Sequence, residues 1–444
     1  MIVENIQTEE KPLSSNCLSW LERENCSIGD DKWWQTVESE GTPLIVHSQG
    51  DYAEVIFLWR SAWPLAGESI KEVYIDINGV TDHHRFDRAK LTNIEQTDVW
   101  FYRTNIKRTW RAGYSFMPVT AELVQPEYSG SHEEKKAQHR QWLRQVFPLS
   151  CRDELNQNNL SGCDWGETKS PLCMQDAQPQ DEWQTFDQQT GESISQPDLT
   201  LKWSSDLLNT TRDIWLFCTA SSVSQCSLPV VFVLDGRFWS QSMPIYDALS
   251  NATNGQRLPE ALYVLIDEVN GQQRNDELGC NPKFWQALSD ELIPLVSNYF
   301  SITQDPQQTA VVGQSLGGLS AMYAVLNWPE RFGLAVSQSG SFWWPDFSII
   351  KPPSEYIAPE TTSLLSDMSQ RVHSGLGSTS QLKIYMEVGS GEDIMVDLSQ
   401  DLFQQLSTQQ HQIKYRVFDG GHERLCWRGG IIDGLAYVFQ CKSN

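Results

Sequence analysis

Short apolar runs separated by turn-forming residues dominate the chain after residue 40. Up to about residue 120 these runs are rich in β-branched and aromatic residues, and few helical patterns separate them, which predicts short β-strands. Several short strands with few helices are typical of an immunoglobulin-like sandwich. The predicted strands are 52–60, 73–77, 99–102 and 114–118, after a short helix at 31–38.

The pattern changes beyond residue 200, where near-continuous apolar runs alternate with helical stretches. Runs without polar alternation are what strands buried on both faces require. Their alternation with helices predicts an α/β fold with a mostly parallel sheet. The predicted strands are 213–218, 230–234, 262–266, 308–312, 334–337, 382–389 and 413–418, and 284–300 is a predicted amphipathic helix.

These changes divide the chain into four predicted parts. Residues 1–40 are helical or irregular, and 41–150 form an all-β, sandwich-like N-terminal domain. Residues 151–200 are rich in Asn, Gln, Asp, Ser and Pro, which predicts a surface linker with little regular structure. Residues 201–444 form the α/β domain that carries the candidate chemistry.

A glycine-flanked serine lies where a predicted strand meets a predicted helix. Gly313-Gln314-Ser315-Leu316-Gly317 follows the strand 308–312 and precedes the helix 319–326. This is the G-x-S-x-G pattern of a nucleophile elbow, in which a sharp turn exposes the serine hydroxyl. A bare match also occurs in glycine-rich loops, but the strand before it and the helix after it favour the elbow. Ser315 is the candidate nucleophile.

A serine nucleophile of this type takes its acid and then its histidine from later in the chain. His411 and His422 follow Ser315, and His422 lies in the loop after the last predicted strand, where such a base is presented. His411 lies among glutamines and indicates a solvated helix end. The acid is open between Glu392 and Asp393 in the loop after strand 382–389, with Glu392 favoured.

Backbone N–H groups at two turns are candidates to stabilise an oxyanion. One is that of Leu316, directly after the serine, and the other comes from Gly236 or Arg237 after strand 230–234. Arg274, in the loop after strand 262–266, either binds an anionic substrate group or ties its loop to Glu277.

Aromatic and cationic residues follow two further strands of the predicted sheet. Trp343 and Trp344 are adjacent after strand 334–337 and predict either an aromatic wall for a flat ligand or local packing. Trp427 and Arg428 follow His422 closely and add an aromatic ring and a cation beside the candidate base.

The composition restricts the possible partners and compartment. A net charge of −24 disfavours nucleic acid and anionic membranes, which attract clustered positive charge. The sequence has no basic start followed by an apolar run and no 18-residue apolar stretch, so neither a signal peptide nor a membrane span is expected. The cysteines lack metal-ligand spacing, which predicts free thiols, no metal site and a cytoplasmic location. They are Cys17, Cys26, Cys151, Cys163, Cys173, Cys218, Cys226, Cys280, Cys426 and Cys441.

These motifs together resemble the enterochelin (enterobactin) esterase family, the ferric siderophore hydrolases. The resemblance covers nearly the whole chain, and its long motifs are far more specific than the elbow alone. The matching segments are 313–318, 328–333, 337–345, 419–422 and 426–430 in the C-terminal half, with 57–60, 77–82 and 97–100 in the N-terminal half and a loose match at 176–180.

The resemblance implies an α/β-hydrolase domain behind a sandwich-like domain, and cytoplasmic cleavage of the serine ester bonds of a ferric tricatecholate. Ser315 and His422 match the family's catalytic positions, and Glu392 falls where the family has a glutamate. Leu316 departs from a frequent Phe, and Asp393 departs from a common proline, which leaves the identity of the acid open. No cofactor is implied, because iron enters as part of the substrate.

An anionic, aromatic substrate would suit Arg237, Arg274 and Arg428, and Arg60 and Arg111 of the N-terminal domain are expected to close the pocket.

Two alternative functions remain. The chain could be an esterase or thioesterase for another acyl substrate, or a non-catalytic siderophore-binding protein on a hydrolase fold. An intact Ser315 and His422 argue against the binding protein, which needs neither.

Overall fold

The computed structural model describes residues 21–61, 70–81, 86–158, 162–164, 167–188, 195–221, 227–349 and 366–440. Its strands are β1 (Leu44–Gln49), β2 (Tyr52–Arg60), β3 (Glu72–Ile77), β4 (Thr92–Asn93), β5 (Val99–Lys107), β6 (Arg111–Val119), β7 (Gly162–Asp164), β8 (Glu167–Cys173), β9 (Leu199–Ser205), β10 (Thr210–Cys218), β11 (Val230–Val233), β12 (Leu262–Ile266), β13 (Thr309–Gln314), β14 (Leu334–Gln338), β15 (Lys383–Gly389) and β16 (Gln412–Phe418). Its helices are α1 (Asp31–Glu40), α2 (His132–Val146), α3 (Gln184–Gln188), α4 (Tyr246–Asn254), α5 (Gly271–Leu278), α6 (Pro282–Ala287), α7 (Ile293–Ser297), α8 (Leu316–Asn327), α9 (Asp367–His373), α10 (Ile394–Ser407) and α11 (Arg424–Phe439).

The N-terminal half contains two antiparallel sheets that share one apolar core. Their strand orders are β1-β2-β5-β4 and β3-β6-β8-β7. Buried residues of β2 in one sheet and of β3 and β6 in the other form a single cluster, in which the rings of Phe57 and Tyr114 have centroids 4.8 Å apart. The predicted short strands are confirmed, but the half is not all-β, because the 15-residue helix α2 lies within the domain predicted at 41–150. The immunoglobulin-like topology stays a prediction.

Several elements of this half were not predicted, among them strand β8 and helix α2. Strand β8, inside the expected linker, pairs with β6 from Arg111↔Cys173 to Tyr114↔Ser170. The polar composition of the segment concealed this strand, because its place in the sheet depends on pairing with a distant strand. Helix α2 is another, and its N-terminus carries a capping box between Ser131 and Glu134.

The C-terminal half is built on one eight-stranded sheet, in the order β16-β15-β14-β13-β11-β12-β10-β9. The six strands from β16 to β12 run parallel, whereas β10 pairs antiparallel with both β12 and β9. The mostly parallel sheet is thus confirmed, with an antiparallel hairpin at one edge. Apolar residues of α8 and α10 pack on one face, and those of α4 and α11 pack on the other.

The helix predicted at 284–300 is confirmed as a continuous helical stretch. It runs through α6 and α7, and the five residues between them, Leu288–Leu292, form wider helical turns. The short helix predicted near the N-terminus is confirmed as α1, whose Asp30 side chain accepts a hydrogen bond from the Trp33 N–H. Strands and helices that depend on local periodicity are therefore the ones that the sequence placed well.

A buried carboxyl group between the two sheets makes stability depend on pH. Burial raises the pKa of Asp153 to about 6, although Tyr114 Oη donates to it at 2.7 Å. Since the folded pKa is raised, its stabilising contribution is complete below about pH 4 and is lost as the pH rises through 6. We expect Asp153→Asn to gain about 2 kcal/mol over the wild type between pH 4 and 7. Urea unfolding of both proteins at each pH measures the difference in their free energies of unfolding. A difference that does not change with pH would contradict the prediction.

Candidate active site

Ser315 occupies a strained turn between β13 and α8. Its backbone has φ 56° and ψ −121°, a left-handed conformation that non-glycine residues rarely adopt. A Cβ on Gly313 would lie 2.2 Å from the Gly317 carbonyl oxygen, so the turn requires a glycine there. This is the geometry that the G-x-S-x-G pattern predicts, and it presents the hydroxyl at the start of a helix.

The end of β14 holds this turn in place. The Ser315 N–H donates to the Gln338 carbonyl at 2.9 Å, and the Ser341 N–H donates to the Ser315 carbonyl at the same distance. The two hydroxyl oxygens, Ser315 Oγ and Ser341 Oγ, are 3.3 Å apart. Ser341 was not singled out from the sequence, although its Ser-Gly-Ser setting after a strand was a usable signal.

The imidazole of His422 is paired with Glu392. Nδ1 of His422 lies 2.6 Å from Glu392 Oε2, and the side chain of Glu392 is only 2% exposed. The other carboxylate oxygen accepts hydrogen bonds from Ser339 Oγ and from the Gly389 N–H, both at 2.6 Å. Asp393 instead precedes α10 with φ 43°. Of the two candidate acids, the structure brings Glu392 to the histidine.

Trp427 supports this pair from the protein interior. Its Nε1 donates to Ser339 Oγ at 2.9 Å, and its ring meets that of His422 edge-on, with centroids 4.8 Å apart. The residue is almost fully buried. The expectation that it contacts substrate is therefore corrected: it packs behind the base and orients the serine that bonds Glu392. Ser339 itself was missed, since its role depends on a side chain 88 residues away.

The turn after β11 carries the remaining candidate oxyanion donors. Asp235 has φ 54°, and a Cβ on Gly236 would lie 2.3 Å from the Ile266 nitrogen, so this turn packs tightly on the end of β12. Asp235 also approaches the elbow, because its Oδ2 would be 3.4 Å from a Cβ on Gly317. The two turns therefore lie side by side at the carboxyl edge of the sheet.

Arg274 holds these turns together and is not available to an anion. It is buried, its Nη2 is 2.8 Å from Asp235 Oδ2, and it also donates to the Gln314 carbonyl at 3.4 Å. Glu277, the partner expected in the structural alternative, instead bonds Arg212 Nη1 at 2.6 Å. The substrate-binding prediction for Arg274 is corrected to a structural one, with a different partner.

The other predicted cations are also bound by protein groups. Arg428 is buried and forms two bonds to Asp187, at 2.7 and 2.9 Å, which corrects its predicted substrate contact. Arg60 Nε lies 2.7 Å from Asp98 Oδ2. Arg111 donates to the Gln178 carbonyl at 2.6 Å and lines a cavity of about 250 Å³, whose lining residues do not include Ser315 or His422. Pocket closure by Arg60 or Arg111 stays a prediction.

Two arginines do lie near the catalytic turns. The side chain of Arg237 is 45% exposed, and its Nη2 is 2.9 Å from Asp267 Oδ2. Arg424, two residues after His422, places its guanidinium carbon 3.8 Å from the ring centroid of Phe238. The sequence offered Arg237 both for its backbone N–H and as a cation for an anionic substrate, but it did not suggest Arg424.

An aromatic cluster stands next to the nucleophile. Trp343 and Trp344 follow Ser341 in the chain and are partly exposed, as is Phe347 beyond them. Phe347 joins the two indoles, with centroids 4.9 Å from Trp343 and 5.4 Å from Trp344. Trp344 also packs over Gly279, where a Cβ would be 2.7 Å from the indole. The predicted pair therefore forms a surface that a flat ligand could contact.

Two further findings concern the described part of the chain. No helix there is both long and apolar enough to cross a membrane. The same residues contain no group of three or more His, Cys, Asp or Glu side chains arranged to hold a metal ion.

Comparison with known proteins covers almost the whole chain. The family model for the enterochelin esterase N-terminal domain matches residues 54–183, and a putative esterase model matches 219–438. The iron(III) enterobactin esterase of Dickeya dadantii is 37% identical, over 92% of this chain and 93% of its own. That of Escherichia coli K12 is 34% identical, over 93% and 97%.

Solved structures agree in fold and extent. The ferric enterobactin esterase of Salmonella typhimurium has a TM-score of 0.79 at 35% identity and covers 93% of this chain and 99% of its own. The enterobactin esterase of Shigella flexneri, solved in the presence of enterobactin, has a TM-score of 0.75 at 34% identity, with 94% and 99% covered. With this likeness along both halves, the chain belongs to the iron(III) enterobactin esterase family.

Proposed function

We propose that the protein hydrolyses the ester bonds of a ferric catecholate siderophore of the enterobactin type, so that its iron can be released. The observation that carries this is the strained Ser315 elbow together with the His422–Glu392 pair, in a chain that belongs to a family of such esterases. Ser315 is the nucleophile, His422 the general base and Glu392 the acid that orients it.

The geometry supports an acyl-enzyme mechanism. Because Nδ1 of His422 bonds Glu392, Nε2 is the nitrogen that accepts the Ser315 proton. The serine oxygen attacks the ester carbonyl, and the N–H of Leu316 with that of Gly236 or Arg237 stabilises the oxyanion. The C–O bond then breaks, His422 protonates the leaving hydroxyl, and an acyl-Ser315 ester remains. Water deprotonated by His422 attacks that ester and releases the carboxylic acid.

Charge and aromatic surface near the site suit a ferric catecholate. Such a complex is anionic and presents flat rings, and the exposed guanidinium of Arg237 with that of Arg424 offers positive charge beside the catalytic turns. The Trp343, Trp344 and Phe347 cluster, which follows Ser341 in the chain, offers ring faces to flat groups of the substrate. Iron enters only within the substrate, and no resident metal or organic cofactor is part of the proposal.

The proposal includes a cytoplasmic location, which the state of the cysteines supports. Cys26, Cys151, Cys173, Cys218, Cys280 and Cys426 are unpaired, and thiols of this kind persist in a reducing compartment. Fractionation of cells that produce the protein would test the location.

Product analysis tests the proposed function. Purified protein and its Ser315→Ala variant are incubated with ferric and iron-free enterobactin, and products are separated by liquid chromatography. Serine-dependent appearance of linear trimer, dimer and monomer supports the proposal. Hydrolysis of a simple aryl ester without any siderophore cleavage would indicate an esterase for another acyl substrate. Tight siderophore binding without turnover of either substrate would indicate a binding protein.

The aromatic cluster gives a prediction for substrate affinity. Replacing Trp343 and Trp344 together by alanine is expected to raise KM for the siderophore about 30-fold, since ring contacts of this kind contribute about 1 kcal/mol each. Cleavage of a small aryl ester should change little, because it does not reach both rings. Tyr299→Ala removes a more exposed ring near the amino end of β13, at the opposite edge of the sheet, and is the control. An unchanged siderophore KM would contradict the role of the cluster.

A further inference from the structure

The loop that carries His422 is held by the N-terminal domain on both sides of the histidine. Asp419 precedes it by three residues and Glu423 follows it directly. Both carboxylates bond groups on β5, β6 or the turn between these strands. We call the contact between this turn region, residues 107–113, and the histidine loop the clamp.

Asp419 is the first anchor of the clamp. Its carboxylate accepts hydrogen bonds from Lys107 Nζ at 2.7 Å, Thr109 Oγ1 at 2.6 Å and Ser390 Oγ at 3.0 Å. Its carbonyl accepts from the Arg111 N–H at 3.1 Å. Burial opposes ionisation, but these hydrogen bonds outweigh it and lower the pKa of Asp419. The carboxylate therefore joins the N-terminal domain to the loops of both His422 and Glu392.

Glu423 is the second anchor. Its side chain is 3% exposed and accepts a hydrogen bond from the Gly113 N–H of β6, with Lys169 Nζ 4.0 Å away. Gly113 permits this approach, since a Cβ there would lie 2.8 Å from Glu423 Oε2. Breaking a bond to a buried carboxylate is costly, so this side of the loop is fixed firmly.

Glycines let a second turn of the N-terminal domain touch the same loops. A Cβ on Gly391 would lie 2.7 Å from the Gly79 carbonyl oxygen, and one on Gly421 would lie 1.9 Å from Asn78 Oδ1. The Gly391 N–H also donates to the Gly420 carbonyl at 3.0 Å. The turn at Gly79 therefore packs directly on the backbone of both catalytic loops, and it leaves no room for a side chain at Gly391 or Gly421.

We propose that the N-terminal domain positions the catalytic base: the clamp on Asp419 and Glu423 fixes where His422 stands relative to Ser315. The inference rests on the proposed roles of His422 and Ser315. The imidazole itself is partly exposed and bonds Glu392 only through Nδ1, so the loop backbone sets the reach of Nε2. A displacement of about 1 Å in a catalytic group lowers the rate about 100-fold. Lys107 and Thr109 are positioning residues, since they act through Asp419.

The test weakens the Asp419 anchor without touching the active site. Lys107→Met and Thr109→Val are made singly and together, with Lys107→Arg as the conservative variant. Arg103→Met is the matched control, because Arg103 lies on the same strand and bonds Glu54 at 2.6 Å, away from the histidine loop. A small aryl ester is the substrate, since it is too small to need the N-terminal domain for binding. Readouts are kcat, KM, Tm and the pH profile of kcat/KM.

We expect the double variant to lose about 10-fold to 100-fold in kcat at unchanged KM, with a smaller loss in each single variant. The pH profile of kcat/KM should differ from that of the wild type, because the His422–Glu392 pair loosens. Lys107→Arg should recover most of the rate, and Arg103→Met should match the wild type. If the double variant does not fold, the kcat of the single variant Thr109→Val is used to test the proposal.

Full kcat with an unshifted pH profile in a folded variant would overturn the clamp proposal. A loss of rate that follows Tm alone, equal in Arg103→Met, would do the same. These outcomes are independent of the siderophore assignment. If the wild-type protein cleaves the aryl ester but not enterobactin, the substrate proposal is wrong and the clamp can still be tested. If the wild type cleaves the siderophore and the clamp variants keep full activity, the clamp proposal is wrong and the substrate proposal stands.

Discussion

Ser315→Ala is expected to lower kcat for siderophore hydrolysis by at least about 10⁴-fold, because no acyl-enzyme can form without the hydroxyl. The substitution removes one oxygen and keeps the Cβ, so the turn at φ 56° is strained to the same degree in both proteins. Substrate affinity should persist, since the proposed oxyanion and aromatic contacts remain. The measurement combines turnover with the quenching of tryptophan fluorescence by the ferric siderophore.

Ser320→Ala is the matched control for this substitution. Ser320 lies five residues further on, in the same helix α8, and its Oγ is buried with no hydrogen-bond partner within the described residues. Removing an unsatisfied buried hydroxyl is close to neutral for stability. Full activity in Ser320→Ala beside the loss in Ser315→Ala would assign the chemistry to the elbow. Turnover above 1% in Ser315→Ala would exclude Ser315 as the nucleophile.

The second large effect separates Glu392 from Asp393. We expect Glu392→Gln to lower kcat about 10³-fold to 10⁴-fold, because the amide stabilises the imidazolium poorly and can orient the wrong tautomer. Oε2 of Glu392 is the atom 2.6 Å from His422 Nδ1, and the Gly389 N–H fixes the other oxygen. Asp393→Asn should cost less than about tenfold, since the carboxylate that bonds Nδ1 of His422 is that of Glu392.

Both variants are read through kcat and its pH profile with the same ester substrate. Loss of the carboxylate should also change the pH profile, because His422 then loses the charged partner on Nδ1. Circular dichroism verifies that each variant is folded. If Asp393→Asn is the more damaging change, the acid assignment is wrong and the loop must rearrange during catalysis.

Local pattern was sufficient for the strands of the α/β sheet and for the elbow. A strand, a glycine-flanked serine and a helix follow one another within residues 309–327, so backbone sterics alone define that turn. Three histidines follow Ser315, and His422 was found because it lies in the loop after the last strand, whereas His373 and His411 precede that strand. Strand β8 escaped prediction because its partner, β6, is about fifty residues earlier in the chain and supplies the pairing.

The sequence by itself determined the α/β class, the nucleophile and the base, because each depends on neighbours in the chain. Tertiary structure decided the acid, since Glu392 and Asp393 are adjacent and only the path of the loop shows which one meets His422. Tertiary structure also decided which arginines are buried in ion pairs and which are exposed at the site. Each guanidinium pairs with the carboxylate that the fold brings to it: Asp235 for Arg274, Asp187 for Arg428 and Asp267 for Arg237. Of the three, the pair of Arg237 is the one whose guanidinium stays exposed.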